Sequence, residues 1–381
     1  MAWGGLLGLD RTRLQPVVRR VLQDEGADVE AWQCRRTEGW SSGETTSGVF
    51  RVSGRARSQG RLRSWTVVLK ILGGPGNGEA FQPEADAYAS GLPGWLPAGL
   101  RAPRCHGVER RREQETWIWL EALDDAHPGA WPLALYGQAA CALARFNAAT
   151  MEAGTTTLPG WIPRGLLEAR LQGTAGLLPL LAAPEAWSHP ILRGVFPPAT
   201  RERLLALWEG RGELLSALQR LPLALNHGDA HPANLLAVRS ADGPPEIVAL
   251  DWSTLHLGPL GTEAQALVGG ALATFRADPA EGPALNGAVL RGYLAGLSER
   301  GVDLDPGLVH FAHHASAALR WTFGLAGWAL RGAHDAGLRA EMEARRGRSF
   351  EAILRHRAGA IPFLLDLGDE AFRRLPGLAV R

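Results

Sequence analysis

Leu225-Asn226-His227-Gly228-Asp229-Ala230-His231-Pro232-Ala233-Asn234-Leu235-Leu236, followed by Ile247-Val248-Ala249-Leu250-Asp251-Trp252, is the stretch whose reading decides the fold. It spaces two acids and an amide in a pattern that phosphoryl transfer can use. Such a reaction needs little covalent help from protein and is served by holding two oxygens in line and neutralising charge. A carboxylate must sit beside the acceptor hydroxyl, and hard oxygens must hold magnesium, an ion that takes only one or two protein carboxylates. Asp229 fits the first role, as the group that orients the hydroxyl and accepts its proton. Asn234, five residues on, and Asp251, which closes the apolar run Ile247 to Leu250, fit the second. Between them, Ser240-Ala241-Asp242-Gly243-Pro244-Pro245 reads as a hairpin turn joining two short strands. Loop, hairpin and second acid therefore form one unit.

The interval from Asp229 to Asn234 is that of the kinase pattern H-R-D-x-x-x-x-N. As a whole, H-G-D-x-H-x-x-N with a later D-W resembles the aminoglycoside phosphotransferase and choline kinase branch of the protein-kinase-like superfamily. The resemblance implies an α+β, bilobal protein-kinase-like fold with a small N-terminal antiparallel-sheet lobe and a large, mainly helical C-terminal lobe. It also implies ATP or GTP with Mg²⁺ as cofactors and the hydroxyl of a small molecule, an antibiotic, sugar or amino alcohol, as acceptor. His231 stands where protein kinases usually carry lysine, which favours a small-molecule acceptor and gives His231 the task of neutralising γ-phosphate charge. His227 is expected to brace the loop backbone. Further on, Gly258-Pro259-Leu260-Gly261-Thr262-Glu263 is similar to a family segment that anchors the next helix, with Glu263 where aspartate is common. That departure bears on a supporting contact, not on the chemistry.

A second signal comes from the basic residues. Of the 40 Lys plus Arg only Lys70 is lysine, inside the apolar run Trp65-Thr66-Val67-Val68-Leu69-Lys70-Ile71. A lone exception in an arginine-rich chain marks a place where a planar fork fails and a compact ammonium fits between nucleotide phosphates and a carboxylate. Lys70 matches the kinase lysine of the third strand, and Glu84, fourteen residues later on a helix with Tyr88, is its expected partner. Glu79 is the alternative. Upstream, Gly39 to Gly48 is rich in glycine and hydroxyl residues, so Ser47 and Gly48 are expected to contact phosphates through a turn.

Composition bounds the remaining possibilities. The 381 residues and 46% hydrophobic content suit two lobes around a cleft, and a formal net charge of +1 supplies no field for nucleic acid or an anionic membrane. Neither is an expected partner. Three cysteines without metal spacing, Cys34, Cys105 and Cys141, point to a reducing cytoplasm. The apolar start Met1 to Leu9 lacks a basic region and makes a poor signal peptide, and the smooth apolar run Ala266 to Phe275 is too short to span a bilayer.

Along the chain, a helix near Arg11 to Asp24, strands near Val29–Arg36, Val49–Ser53, Arg63–Leu72, Arg104–Val108 and Thr116–Glu121, and the Glu84 helix compose a nucleotide-binding lobe over residues 1–121. The chain from 122 to 381 holds the hinge and a helical lobe. Backbone groups of Leu120 and Ala122 are expected to face adenine at that hinge. Tyr136 to Thr150 has the spacing of a long core helix, and 151–224 forms proline-broken helical segments where an acceptor-binding insertion is expected. That insertion carries several glutamates but no aspartate. In the last third, His310, His313 and His314 share one helical face with Arg320, Trp321 and Trp328 nearby. Zinc would need further ligands from elsewhere, so helix packing outweighs a metal site. His314 and Trp321 are the candidate acceptor contacts. A nucleotide-binding regulatory module or a protein kinase are the competing classes, and the complete set of Lys70, Asp229, Asn234 and Asp251 argues against the first.

Overall fold

Alternating burial builds the N-terminal sheet of this protein, seen in a computed structural model that describes residues 8–37, 46–73, 83–111, 115–154, 158–240, 243 and 245–378. Strands β1 (Asp28–Arg36), β2 (Thr46–Ser58), β3 (Arg61–Leu72), β5 (Cys105–Arg110) and β6 (Thr116–Glu121) pair antiparallel in the order β1-β2-β3-β6-β5, with β4 (Leu100–Arg101) outside that sheet. The β2–β3 hairpin closes on Ser58 opposite Arg61. Its two turn residues, Gln59 and Gly60, both take positive φ, the twist that a tight hairpin needs. One face of the sheet buries Val29, Val52, Val67, Leu69, Trp117 and Trp119 against helix α1 (Arg11–Leu22). Asp10 caps that helix by accepting the Arg13 N–H, and Leu14, Val17, Val18 and Leu22 form its buried stripe. A second helix, α2 (Pro83–Ala89), carries Glu84.

The chain divides into two compact units, Met1–Leu96 with Arg101–Asp125, and Pro97–Leu100 with Ala126–Arg381. The second unit is mainly helical: α3 (Leu133–Ala153), α4 (Leu166–Ala175), α5 (Leu178–Ala182), α6 (Pro184–Trp187), α7 (Thr200–Leu218), α8 (Gln265–Ala273), α9 (Gly282–Glu299), α10 (Pro306–His334), α11 (Ala336–Arg346) and α12 (Phe350–Arg374). Small residues set the contact between α3 and α9. A side chain at Gly292 would put its Cβ 2.1 Å from the Gly137 carbonyl oxygen, so only bare backbone allows this approach. Two small sheets lie among the helices: β7 (Leu223–Asn226) pairs with β10 (His256–Pro259), and β8 (Leu235–Val238) pairs with β9 (Glu246–Ala249). The fold is α+β and protein-kinase-like.

Three sequence expectations change here. Ser47 and Gly48 belong to β2, because β3 extends far enough to pair with it up to Thr46–Leu72 and a bulge absorbs Ser47. The Ser47 hydroxyl donates to the Gly73 carbonyl, so it is spent on the strand end and not presented by a turn. Residues Gly39 to Thr45 of the expected phosphate turn, and Glu79, lie outside the described residues, as do Ala241, Asp242 and Pro244 of the hairpin turn. Leu120 lies opposite Val68 on one side and Cys105 on the other, so its backbone is enclosed in the sheet and does not face adenine. Ala122 follows the last residue of β6.

Candidate active site

Within the second unit, β7 delivers the chain to the loop and buried polar contacts fix it there. Asn147 on α3 donates to the Leu225 carbonyl at 2.7 Å, while the Thr150 hydroxyl accepts the Leu225 N–H at 3.0 Å. Tyr293 on α9 donates to Asn147 Oδ1 at 2.5 Å and accepts the Gly261 N–H. The strand is thereby tied to two helices before the loop that carries Asp229 begins. His227 is fully buried, with Nε2 2.7 Å from the Leu250 carbonyl and Nδ1 accepting the Asp229 N–H. Burial holds this imidazole below its ordinary pKa, so it is neutral, with the proton on Nε2. Its ring also packs on Trp252, 4.6 Å between centroids. Gly228 takes φ +81°, and a Cβ there would come within 2.5 Å of the Thr254 carbonyl oxygen.

The loop turns tightly from Asp229 to Asn234. His231 N–H donates to the Asp229 carbonyl and Asn234 N–H to the His231 carbonyl, both at 2.8 Å. Asn234 Nδ2 then donates back to Asp229 Oδ2 at 3.0 Å, which leaves the amide oxygen as a hard donor. His231 Nδ1 accepts the Ala233 N–H, and Nε2 lies 3.5 Å from Asp229 Oδ2. Pairing of β8 with β9 brings Leu250 N–H to the Asn234 carbonyl at 2.8 Å, so Asp251 follows directly from a residue tied to the amide. Asp251 takes φ +57°, a conformation that an L residue adopts at a cost and that re-aims its carboxylate at the strand end. Asp229, His231, Asn234 and Asp251 are thus collected by one local hydrogen-bond pattern. An amide oxygen and a carboxylate oxygen make a donor set suited to Mg²⁺.

Asp229 has partners that sequence spacing did not reveal. Arg320, from α10, is almost fully buried, donates to Asp229 Oδ1 and donates Nη1 to the Gly228 carbonyl at 2.7 Å. Arg170, from α4, donates to the same carbonyl at 3.1 Å and lies 3.9 Å from Asp229 Oδ1. Burial opposes ionisation of Asp229, yet the His231 contact and the Arg320 and Arg170 charges outweigh it and hold the carboxyl well below the usual range. Asp229 is therefore ionised across the neutral range. Glu263 also reaches the loop, accepting the N–H groups of His227 and, at 3.2 Å, Gly228. The supporting contact in question at the sequence level is made by the longer side chain. Burial pushes the Glu263 carboxyl up to about 7, against the pull of these two N–H groups.

That shift has a sign that can be checked. A carboxyl whose folded pKa is raised contributes stability below its unfolded pKa of 4.5 and loses it as pH climbs through about 7. Glu263→Gln is expected to remove this slope, worth on the order of 3 kcal/mol between pH 4.5 and 7. Urea unfolding of both proteins at stepped pH measures it; a constant difference between them would show that Glu263 does not hold its proton.

In the first unit, Lys70 Nζ lies 2.5 Å from Glu84 Oε2, with side-chain exposures of 5% and 1%. Lys70 sits on β3 opposite Val49 and Ile118, and Glu84 in the first turn of α2. Taking either charge away removes a close ion-pair partner from the other, which is itself almost fully buried. Lys70→Ala is expected to cost roughly 3–5 kcal/mol of this unit's stability, and Lys70→Met with Glu84→Leu to restore most of it. Denaturant melts of the single and double variants test the pairing.

His314 and Trp321 behave differently from each other. His314 is buried, and its Nε2 faces Asn286 on α9 at 3.4 Å while His313 contacts the same asparagine at 2.6 Å. It serves the α9–α10 interface, so the structure removes it from the acceptor contacts. Among the described residues no group of His, Cys, Asp or Glu converges as a metal site. Trp321 lies against α8 at Gly269, next to Gly270, which faces His231, and its indole N–H donates to Gln265 at 2.5 Å.

The model of the phosphotransferase enzyme family matches residues 81–302. The chain belongs to that family. No curated protein matches this phosphotransferase. Among solved structures it is similar to the GDP complex of wild-type aminoglycoside 2'-phosphotransferase-IIIa, at 13% identity and TM-score 0.47 over 95% of this chain and 98% of that one. It is also similar to a microcompartment-associated aminopropanol kinase, at 14% identity and TM-score 0.48, covering 98% and 99%. A choline/ethanolamine kinase family protein from Mesorhizobium loti gives 17% identity and TM-score 0.40, covering 86% and 92%. No helix among the described residues of the phosphotransferase is long and apolar enough to cross a membrane.

Proposed function

We propose that this phosphotransferase moves the γ-phosphate of ATP, or of GTP, to a hydroxyl of a small molecule. The observation that carries the reading is the Asp229 carboxylate, held ionised by Arg320 and Arg170 and anchored to Asn234 five residues on. Asp229 orients the acceptor hydroxyl and takes its proton as the hydroxyl oxygen bonds to the γ-phosphorus and the bond to the leaving phosphate oxygen breaks. Asn234 and Asp251 would hold Mg²⁺, which when bound neutralises phosphate charge. Lys70, steadied by Glu84, takes the role of holding the α and β phosphates, with Ala122 at the adenine and His231 at the γ-phosphate. Trp321 is the aromatic candidate for the acceptor, and residues 151–224 are assigned to its binding.

His231 at the position of the protein-kinase lysine supports a small-molecule acceptor over a protein one. The test is ADP formation with MgATP and with MgGTP across a panel of alcohols, sugars, amino alcohols and hydroxylated antibiotics. Acceptor-dependent ADP release supports the reading. Tight MgATP binding with no turnover on any acceptor would overturn it in favour of a regulatory nucleotide-binding module.

A further inference from the structure

Three helices of the second unit line a pocket of about 210 Å³ to which none of Asp229, His231, Asn234 and Asp251 contributes. Helix α11 ends at Arg346, Gly347 turns the chain at φ +59°, and α12 begins at Phe350. The reversal brings Arg345 and Arg346, in the last turn of α11, into one pocket with Arg357 of α12. Trp328 of α10 and Met342 of α11 form its apolar side.

Arg345 and Arg346 alone would call for no ligand, because cations in the last turn of a helix are held by its exposed carbonyls. Arg357 has no such reason. It stands inside α12 and is 7% exposed, and its Nε and Nη1 are buried without a hydrogen-bond partner. A buried donor left unmatched is costly, more so on a charged group, and few native structures keep one. Burial, and then the Arg346 charge, lower the Arg357 pKa to about 10; burial, and then the Arg345 charge, lower that of Arg346.

The acids of these helices do not answer the charge. Helix α10 contains none. On α11, Glu343 accepts the Phe350 N–H at 2.6 Å, and Asp335 before it accepts the Leu338 N–H at 3.0 Å. On the first turns of α12, Glu351 pairs with Arg355. Glu341 does line the pocket, yet among the described residues neither it nor the three arginines take part in an ion pair. Counting Glu341 in full, three guanidiniums against one carboxylate still leave two positive charges.

We propose that this pocket binds a dianionic tetrahedral oxyanion, free phosphate or the phosphate of a small monoester, with Arg357 as its buried donor and Arg345 and Arg346 facing it from α11. A phosphomonoester carries about −1.5 to −2 charges near pH 7, which matches the excess, whereas a carboxylate would leave half of it. The volume lies below that of drug-sized sites and suits phosphate with at most a small apolar substituent against Trp328 and Met342. No residue of the pocket is assigned a part in phosphoryl transfer, so binding here is tested apart from transfer at Asp229.

Calorimetric titration of the full chain in phosphate-free buffer, with inorganic phosphate, phenyl phosphate and benzoate as probes, tests the site. Both phosphates are expected to bind at least about tenfold tighter than benzoate, the scale of one charge-assisted hydrogen bond. Phenyl phosphate binding tighter than inorganic phosphate identifies a monoester with its body on Trp328; affinities equal or reversed identify the free ion. Arg357→Met, which keeps an apolar stem and removes the charge, should weaken both phosphates by about tenfold or more while MgATP binding stays that of the parent, with circular dichroism confirming folding. Should that variant fail to fold, Arg346→Gln, at an exposed position, should weaken both phosphates as well. Phosphate affinity unchanged in these variants, no binding of either phosphate to the parent, or benzoate as tight as phenyl phosphate overturns the proposal. A parallel loss of MgATP binding would place the phosphate in the nucleotide site and overturns it too.

Discussion

Asp229→Asn is expected to lower acceptor-dependent ADP formation by about 10³-fold, within the range that a positioned acid or base contributes, while MgATP binding stays close to that of the parent. The isosteric change does more than remove a proton acceptor. In the parent, Asn234 Nδ2 and Arg320 each donate to a different oxygen of Asp229. An amide at 229 must turn its own NH₂ toward one of these donors, so one contact becomes a clash of donors and the group swings away from the acceptor. Nor does the role of Asp229 rest on a pKa near neutrality. Its carboxyl is held well below the usual range, so under the proposed function it would stay charged until the new O–P bond makes the hydroxyl acidic, and would act by orientation and charge stabilisation. A corollary follows for pH. The acid limb of kcat/KM owed to Asp229 lies below the ordinary carboxylate range, and the profile of the parent should show no loss from this group between pH 5 and 7. Steady-state kinetics with calorimetry of MgATP checks both statements; an Asn variant with near-normal turnover would assign the base elsewhere.

What could be read from the sequence was what is local. The interval from Asp229 to Asn234 is a chain-spacing fact, and the structure expresses it as an amide-to-carboxylate hydrogen bond within one turn. Asp251 is reached through the β8–β9 pairing, which ties Leu250 to Asn234 across a short hairpin that apolar runs and a glycine-proline turn announce. Lys70 was legible for a different reason: one ammonium among so many guanidiniums is a chemical exception wherever it lies. Arg320 had no such mark. It meets Asp229 across 91 positions, and no periodicity in either segment encodes that contact. Its available signal was indirect, a charged residue inside the run Phe311 to Leu330, whose other positions are almost all small or apolar. Arg170 and the Tyr293–Asn147 pair were hidden in the same way.

The misplaced residues have physical causes as well. Ser47 and Gly48 look like turn formers in isolation, and only the length of β3 draws them into a strand. Leu120 reads as an edge because the chain leaves the sheet just after it, but the Cys105–Arg110 strand covers its other side. His314 shares a helical face with His310 and His313, yet the partner that takes it, Asn286, belongs to another helix.

Arg320→Leu has the second large expected effect, and it separates positioning from packing. Leucine keeps an apolar stem on α10 but withdraws the guanidinium from both Asp229 and the Gly228 carbonyl. The lost charge-assisted hydrogen bonds should cost about 2 kcal/mol of stability. A loop shift of even an ångström should cost about 10²-fold in kcat/KM. Stability and rate alone would not distinguish a structural prop from a group that sets the base. The pH profile does. Without Arg320 the forces that depress the Asp229 pKa weaken, leaving burial, which raises it, less opposed. The acid limb of kcat/KM should therefore move to higher pH in Arg320→Leu. In Arg320→Lys, where a charge remains but the fork that spans Gly228 and Asp229 is gone, the limb should move back toward that of the parent while kcat stays low. Rates across pH 4 to 8 for the three proteins decide it, since the parent should show no Asp229 limb in that window: no limb entering it in Arg320→Leu would mean that Arg320 supports the helix packing only and leaves the charge state of Asp229 to Arg170 and His231.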